Sequence, residues 1–171
     1  MGITYAVLAN RLVELGMVPV EAVGEVLDLC GADEEPGPAD IGFALVDFGV
    51  AVAVHGDDVD DLEESYRELL RETAAVSGVV VGEVVLGRDD DGAESLRFEV
   101  GGVPVVWGVE HRSEEYLDQL AVFEFIDRLE PGGDDPRRFH ALDGVDVGAV
   151  YVLATPEQAR ALEVEFGIAY T

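Results

Sequence analysis

"VVVGEVVLGRDDDGAESLRFEVGGVPVVWGVEH", residues 79–111, decides the fold class. Three Val-rich segments are separated first by the polar "RDDDGAE" and then by Gly101-Gly102, which is the pattern of strands joined by turns. Two glycines between Val100 and Val103 suit a two-residue hairpin loop, where both central residues need positive φ. The stretch therefore reads as an antiparallel meander, with strands in "VVVGEVVLG", "SLRFEV" and "VPVVWGVEH".

On the amino-terminal side lies "GDDVDDLEESYRELLRET", residues 56–73. Val59, Leu62, Tyr66, Leu69, Thr73 and Val76 are separated alternately by three and four, so this segment is expected to be an amphipathic helix with that stripe buried. Before it, "FALVDFGVAVAVHG" (43–56) is almost continuously apolar. That composition predicts a strand buried on both faces and bulged at Gly49, the centre of the sheet. The succession strand, helix, strand predicts a right-handed crossover between two parallel strands.

Outward from there, Tyr5, Leu8, Leu12 and Leu15 predict a first helix stopped by Gly16. Pro19 then opens a second helix, with Val23, Val26, Leu27 and Cys30 on one side and Gly31 at its end. "ADEEPGPAD" (32–40) is an exposed loop. Ser113 caps a helix through "EEYLDQLAVFEFIDRL", and "EPGGDDPRRFHALDGVD" is a long irregular connection. "VGAVYVLA" is a buried strand. Thr155-Pro156-Glu157-Gln158 forms a capping box for a last helix that ends before Gly167. The expectation is one α+β domain over residues 1–171, order ααβαβββαβα, with a mostly antiparallel sheet of about five strands.

Charge is the strongest global signal. Against 37 Asp plus Glu stand 10 cations, all of them Arg, for a net charge of −27. Such a surface repels phosphate backbones and acidic membranes, so neither direct nucleic-acid binding nor membrane binding is expected. A basic protein partner is favoured instead. The lack of Lys removes any P-loop lysine or Schiff base. With hydrophobic residues at 49%, the chain is nonetheless expected to fold. The amino terminus lacks the basic start and apolar core of a signal peptide, and "MGITYA" lacks the Ser or Thr of a myristoylation signal. Cys30 is the only cysteine, which suits a small buried hydrophobe in a reducing cytoplasm.

Catalytic motifs are weak. Aligning Gly92 of "DDDG" with the glycine of a calcium loop puts Gly87 and Phe98 at the end ligand positions, where both fail. His55, His111 and His140 lie on different elements without metal-ligand spacing. The two initial helices carry only Arg11, too little charge for a DNA-binding helix-turn-helix. Arg137 and Arg138 are expected to be satisfied by neighbouring acids, and Phe98 and Trp107 to belong to the core. The reading calls for no catalytic residue, metal or cofactor.

The expected contact surface is the helix. Asp60, Glu64, Glu68 and Glu72 recur every fourth residue and would form an outward acidic row of about 18 Å, softened by Arg67 near Glu63 and Glu64 and by Arg71 near Glu68. Asp57 and Asp58 favour the positive end of the helix dipole, and Asp57 and Asp61 are counted with the row in the expected contact surface. In size, acidity and α+β pattern the chain resembles the bacterial immunity proteins that neutralise nuclease-type toxins, a resemblance of class. It implies an inhibitor that covers the basic surface of a toxin or nucleic-acid enzyme. Two other classes compete: a salt-adapted cytosolic protein whose acidity serves solubility, and a small enzyme.

Overall fold

The hairpin at Gly101-Gly102 forms as expected. In the computed structural model, which describes residues 2–145 and 148–171, both glycines have positive φ, 57° and 81°, and Val100 pairs with Val103. Met1, Asp146 and Val147, which the readings above include, lie outside the described residues. The chain is α+β, and its contacts divide it into two compact units. One comprises residues 1–53, 136–146 and 150–171; the other comprises 54–135 and 147–149.

In the first unit, α1 (Tyr5–Glu14) is capped by the Thr4 hydroxyl, which accepts the Val7 N–H, and buries Leu8, Ala9 and Leu12. Gly16 follows with φ 71°. Pro19 precedes a single 3-10 turn, Val20–Ala22, that leads into α2 (Val23–Cys30). The strand expected within 43–56 is instead two elements. α3 (Ile41–Asp47) buries Gly42, Ala44 and Leu45; Gly49 turns the chain at φ 74°, and β1 (Ala51–Val54) begins beyond it. Continuous apolar character does not distinguish a buried strand from a short buried helix, and here the glycine marks the boundary between the two. Gly42 also sets how closely α3 packs, since a Cβ there would lie 3.0 Å from Leu142 Cδ2.

The sheet of this unit has the order β1-β6-β5, with β6 (Ala149–Ala154) in the middle and its neighbours antiparallel to it. β5 (Arg138–Ala141) lies inside the segment expected to be irregular, paired from Arg138↔Ala154 to Ala141↔Tyr151. α6 (Pro156–Phe166) carries the expected capping box: the Thr155 hydroxyl accepts the Gln158 N–H, and the Gln158 side chain accepts the Thr155 N–H. The Gln158 amide also donates to the Leu15 carbonyl at 2.9 Å, tying the start of α6 to the end of α1. Arg11 grips Glu165 with two bonds of 2.6 Å.

The second unit holds α4 (Leu62–Ser77), the sheet β2-β3-β4 and α5 (Gln119–Phe125), which continues into a 3-10 turn at Ile126–Leu129. β2 (Val85–Arg88), β3 (Glu94–Val100) and β4 (Val103–Val109) are antiparallel neighbours. The described strands thus number six in two three-stranded antiparallel sheets, rather than about five in one. The expected parallel crossover is absent, because the strands on either side of α4 belong to different sheets. α5 starts five residues later than expected: its cap is Asp118, which accepts the Ala121 N–H, while the Ser113 hydroxyl only accepts the Glu115 N–H. Leu96, Phe98, Trp107 and Val109 form the buried sheet face. Trp107 meets the edge of Phe98 at 5.1 Å and stacks on Phe125 at 6.1 Å, confirming both Phe98 and Trp107 as core.

Candidate functional site

α4 is built as its stripe implies. Asp61 caps it by accepting the Glu64 N–H at 2.9 Å, and Tyr66, Leu69, Leu70 and Thr73 are buried. Thr73 returns its hydroxyl to the Leu69 carbonyl, so the polar atom on the buried face is satisfied. The acidic row is shorter than expected. Asp60 precedes the helix, and Asp57 lies in the loop before it, both exposed. Glu64, Glu68 and Glu72 remain, all exposed and spanning about 12 Å at 1.5 Å per residue.

These carboxylates are not equivalent. Arg67 pairs with both Glu63 and Glu64, as its spacing suggests, and also donates to the Val84 carbonyl. Glu63 in turn accepts the Leu86 N–H at 3.0 Å, so Glu63 and Arg67 are engaged in holding α4 to β2. The anticipated Arg71–Glu68 bridge does not form. Among the described residues no ion pair engages Glu68 or Glu72, which leaves those two charges facing solvent.

A second constellation was not anticipated. His111, 3% exposed in its side chain, points Nδ1 at the Glu94 carboxylate and Nε2 at the Tyr66 hydroxyl, 2.7 Å away. The Tyr66 oxygen accepts the Asp118 N–H at 2.8 Å, and Arg88 donates to the other oxygen of Glu94. Donors and acceptors balance when His111 carries its proton on Nδ1, because the Tyr66 O–H is then free to donate to Nε2. The chain Asp118–Tyr66–His111–Glu94–Arg88 thus joins the cap of α5, α4, the end of β4, and the start of β3 to the end of β2. Burial drives the Tyr66 phenol well above its usual range, while the His111 and Arg88 bonds hold Glu94 below the ordinary carboxylate value despite partial desolvation.

This network forms part of the wall of a cleft of about 970 Å³, together with Leu120 and Glu124. Both imidazole nitrogens are engaged and Tyr66 has no exposed surface, so neither faces the cleft as a free base. Its chemistry is that of a buried staple. The signal for it was present in the hairpin: a two-residue loop at Gly101-Gly102 places Glu94 opposite Val109, one dyad step from His111. His111 and Glu115, four apart in sequence, do not share a helix, because α5 begins only at Gln119.

Elsewhere the isolated candidates are accounted for. The Cys30 thiol lies 3.8 Å from Asp47, and burial together with that carboxylate raises its pKa, which disfavours a reactive thiolate. Asp89 of "DDDG" accepts the N–H groups of Asp91 and Ala93, forming the hairpin tip. Among the described residues no group of three His, Cys, Asp or Glu side chains is arranged to hold a metal ion, and no helix is long and apolar enough to cross a membrane. No protein-family model, curated protein or solved structure matches this chain.

The Glu94 environment has a consequence for acid stability. Its pKa is lowered on folding, so its contribution is present above the unfolded-state value near 4.5 and disappears as pH falls through the depressed folded value. Urea denaturation of wild type and Glu94→Gln is expected to show a stability gap at neutral pH that closes progressively below about pH 4.5. A gap that stays constant down to pH 3 would mean that the carboxylate charge plays no part.

Proposed function

We propose that the chain is an acidic protein-binding module that neutralises a basic partner, such as a bacterial toxin or a nucleic-acid enzyme, by covering its positive surface. The observation supporting this reading is the outer face of α4. Glu68 and Glu72 stay exposed and unpaired on a helix whose neighbouring Glu63 and Glu64 are both bridged by Arg67. Like charges at this spacing cost a helix a few tenths of a kcal/mol, a cost that an opposing basic surface reverses. The exposed Asp57 and Asp60 in the preceding loop extend the same negative segment. Asp61 contributes less to recognition, because its carboxylate caps the helix.

The competing reading, acidity kept for solubility in salt, predicts opposite behaviour. A basic partner held by carboxylates dissociates as ionic strength rises, whereas self-repulsion within a chain of charge −27 is relieved by salt. The test uses the tagged full chain to capture proteins from the lysate of its source cells at low salt, beside the double variant Glu68→Arg, Glu72→Arg. A basic protein retained by wild type, released by salt and lost from the variant, with affinity at least about tenfold weaker by calorimetry, is the expected result. Equal retention by the two chains, or no retained basic protein, removes the reading.

A further inference from the structure

The cleft beside the His111 network carries charges that the fold does not use. It lies wholly within the second unit, encloses about 970 Å³, and is lined by four carboxylates and two guanidinium groups. Two of those carboxylates are already taken up. Glu94 accepts from His111 and Arg88, and the two oxygens of Asp118 accept the Glu110 and Ala121 N–H groups.

The other charged groups are open. Glu110, Arg112 and Glu124 are exposed, and among the described residues no ion pair or side-chain hydrogen bond engages any of the three. Glu110 and Arg112 are two residues apart and still do not pair with each other. Arg88 gives one nitrogen to Glu94 and, with 64% of its side chain exposed, keeps donors for a second acceptor. Beside these charges lies apolar surface. Leu120, 67% exposed, projects from α5 one turn before Glu124, and Ala93 and Ala121 line the cleft with it.

Charge discriminates among ligand classes. An anion enters against a chain of charge −27 and leaves Glu110 and Glu124 unanswered. A cation is drawn in by that field but satisfies neither arginine. A molecule that carries both signs is not repelled as a whole, and it gives every open group a partner through charge-assisted hydrogen bonds. The volume lies at the upper end of the range of about 300–1,000 Å³ that holds drug-sized ligands, which suits a short peptide.

We propose that the cleft binds short zwitterionic peptides. The free carboxylate lies at Arg88 and Arg112, the free ammonium lies at Glu110 and Glu124, and an apolar side chain covers Leu120. The site uses none of the α4 carboxylates, so it stands or falls independently of the inhibitor reading.

Titration of the full chain with the tripeptide Ala-Leu-Ala tests the site, followed by calorimetry and by the amide NMR shifts of Ala93, Leu120 and Ala121. Binding is expected to saturate with shifts gathered at those residues. It is expected to weaken at least about tenfold when either the amine is acetylated or the carboxylate is amidated. Arg112→Gln should remove the advantage of the free carboxylate, and Glu124→Gln that of the free amine. Both residues are exposed and lie outside the buried network, so the circular dichroism spectrum should not change. Three results overturn the proposal: no saturable binding up to about 10 mM, an amidated peptide that binds as tightly as the free one, or a folded Arg112→Gln that still prefers the free carboxylate. The second of these would identify plain attraction of a cation to the acidic surface. Should a variant fail to fold, the comparison of free and blocked peptides on wild type decides.

Discussion

Replacing His111 with alanine is expected to lower the unfolding free energy by about 3 to 5 kcal/mol, measured by urea denaturation. The loss has two main parts. The bond to the Glu94 carboxylate is charge-assisted, and such bonds contribute about 1.5–3 kcal/mol; the Tyr66 hydroxyl is left buried without an acceptor, which costs about 1–3 kcal/mol more. Trp107 is the only tryptophan and lies in the core of the same unit, so its fluorescence follows this unit directly. Tyr66→Phe is expected to cost about 1–3 kcal/mol, since it leaves the Asp118 N–H and His111 Nε2 unpaired. The double variant should lose less than the sum, because both changes break one shared bond. A His111→Ala loss below about 1 kcal/mol would show that the network does not staple the unit.

Gly148→Ala is expected to be as severe, through sterics rather than polarity. Gly148 has φ 89°, and a Cβ there would lie 2.0 Å from the Val54 carbonyl oxygen and 3.1 Å from the Gly56 nitrogen. Both obstacles are backbone, so no side chain can move aside; the chain around Val54 would have to separate from Gly148. A loss of at least about 4 kcal/mol, seen as loss of soluble protein or of a cooperative thermal transition, is the expected outcome. Gly144→Ala is the control. Its φ is also positive, 76°, but its Cβ would meet nothing within 4 Å, so it should cost only the left-handed penalty of about 1–2 kcal/mol. Equal losses at the two positions would mean that backbone conformation alone, and not the clash, sets the cost.

Local signals in the sequence were legible where a short interaction decided the outcome. Gly101-Gly102 specified the hairpin, Thr155 to Gln158 specified the start of α6, and the three-and-four spacing of Leu62, Tyr66, Leu69 and Thr73 specified the face of α4. Reading failed where the deciding partner was distant. Residues 43–54 have an apolar pattern compatible with either strand or helix, and the division at Gly49 depends on how α3 fits against Leu142 and Val150. "RRFHA" has no strand alternation of its own and becomes β5 because β6 lies beside it.

The acidic row shows the same division within one helix. Spacing assigned Glu64, Glu68 and Glu72 to the outer face, but it treated the carboxylates as equivalent. Arg67 is held near Glu63 and Glu64 by its contact with Val84, so charge is consumed at one end of the row and left at the other. Asp60 fell away because Asp61, one residue later, had the geometry to cap the helix.

By itself, then, the sequence determined the acidity, the α+β composition, the tight hairpin and the buried faces of its clearest helices, because each depends on residues a few positions apart. The tertiary structure decided the division into two sheets and the burial of His111 between Glu94 and Tyr66, 17 and 45 residues away. It also decided which carboxylates remain free. Those outcomes rest on which distant surfaces exclude water together, and a pattern of neighbouring residues holds no record of that.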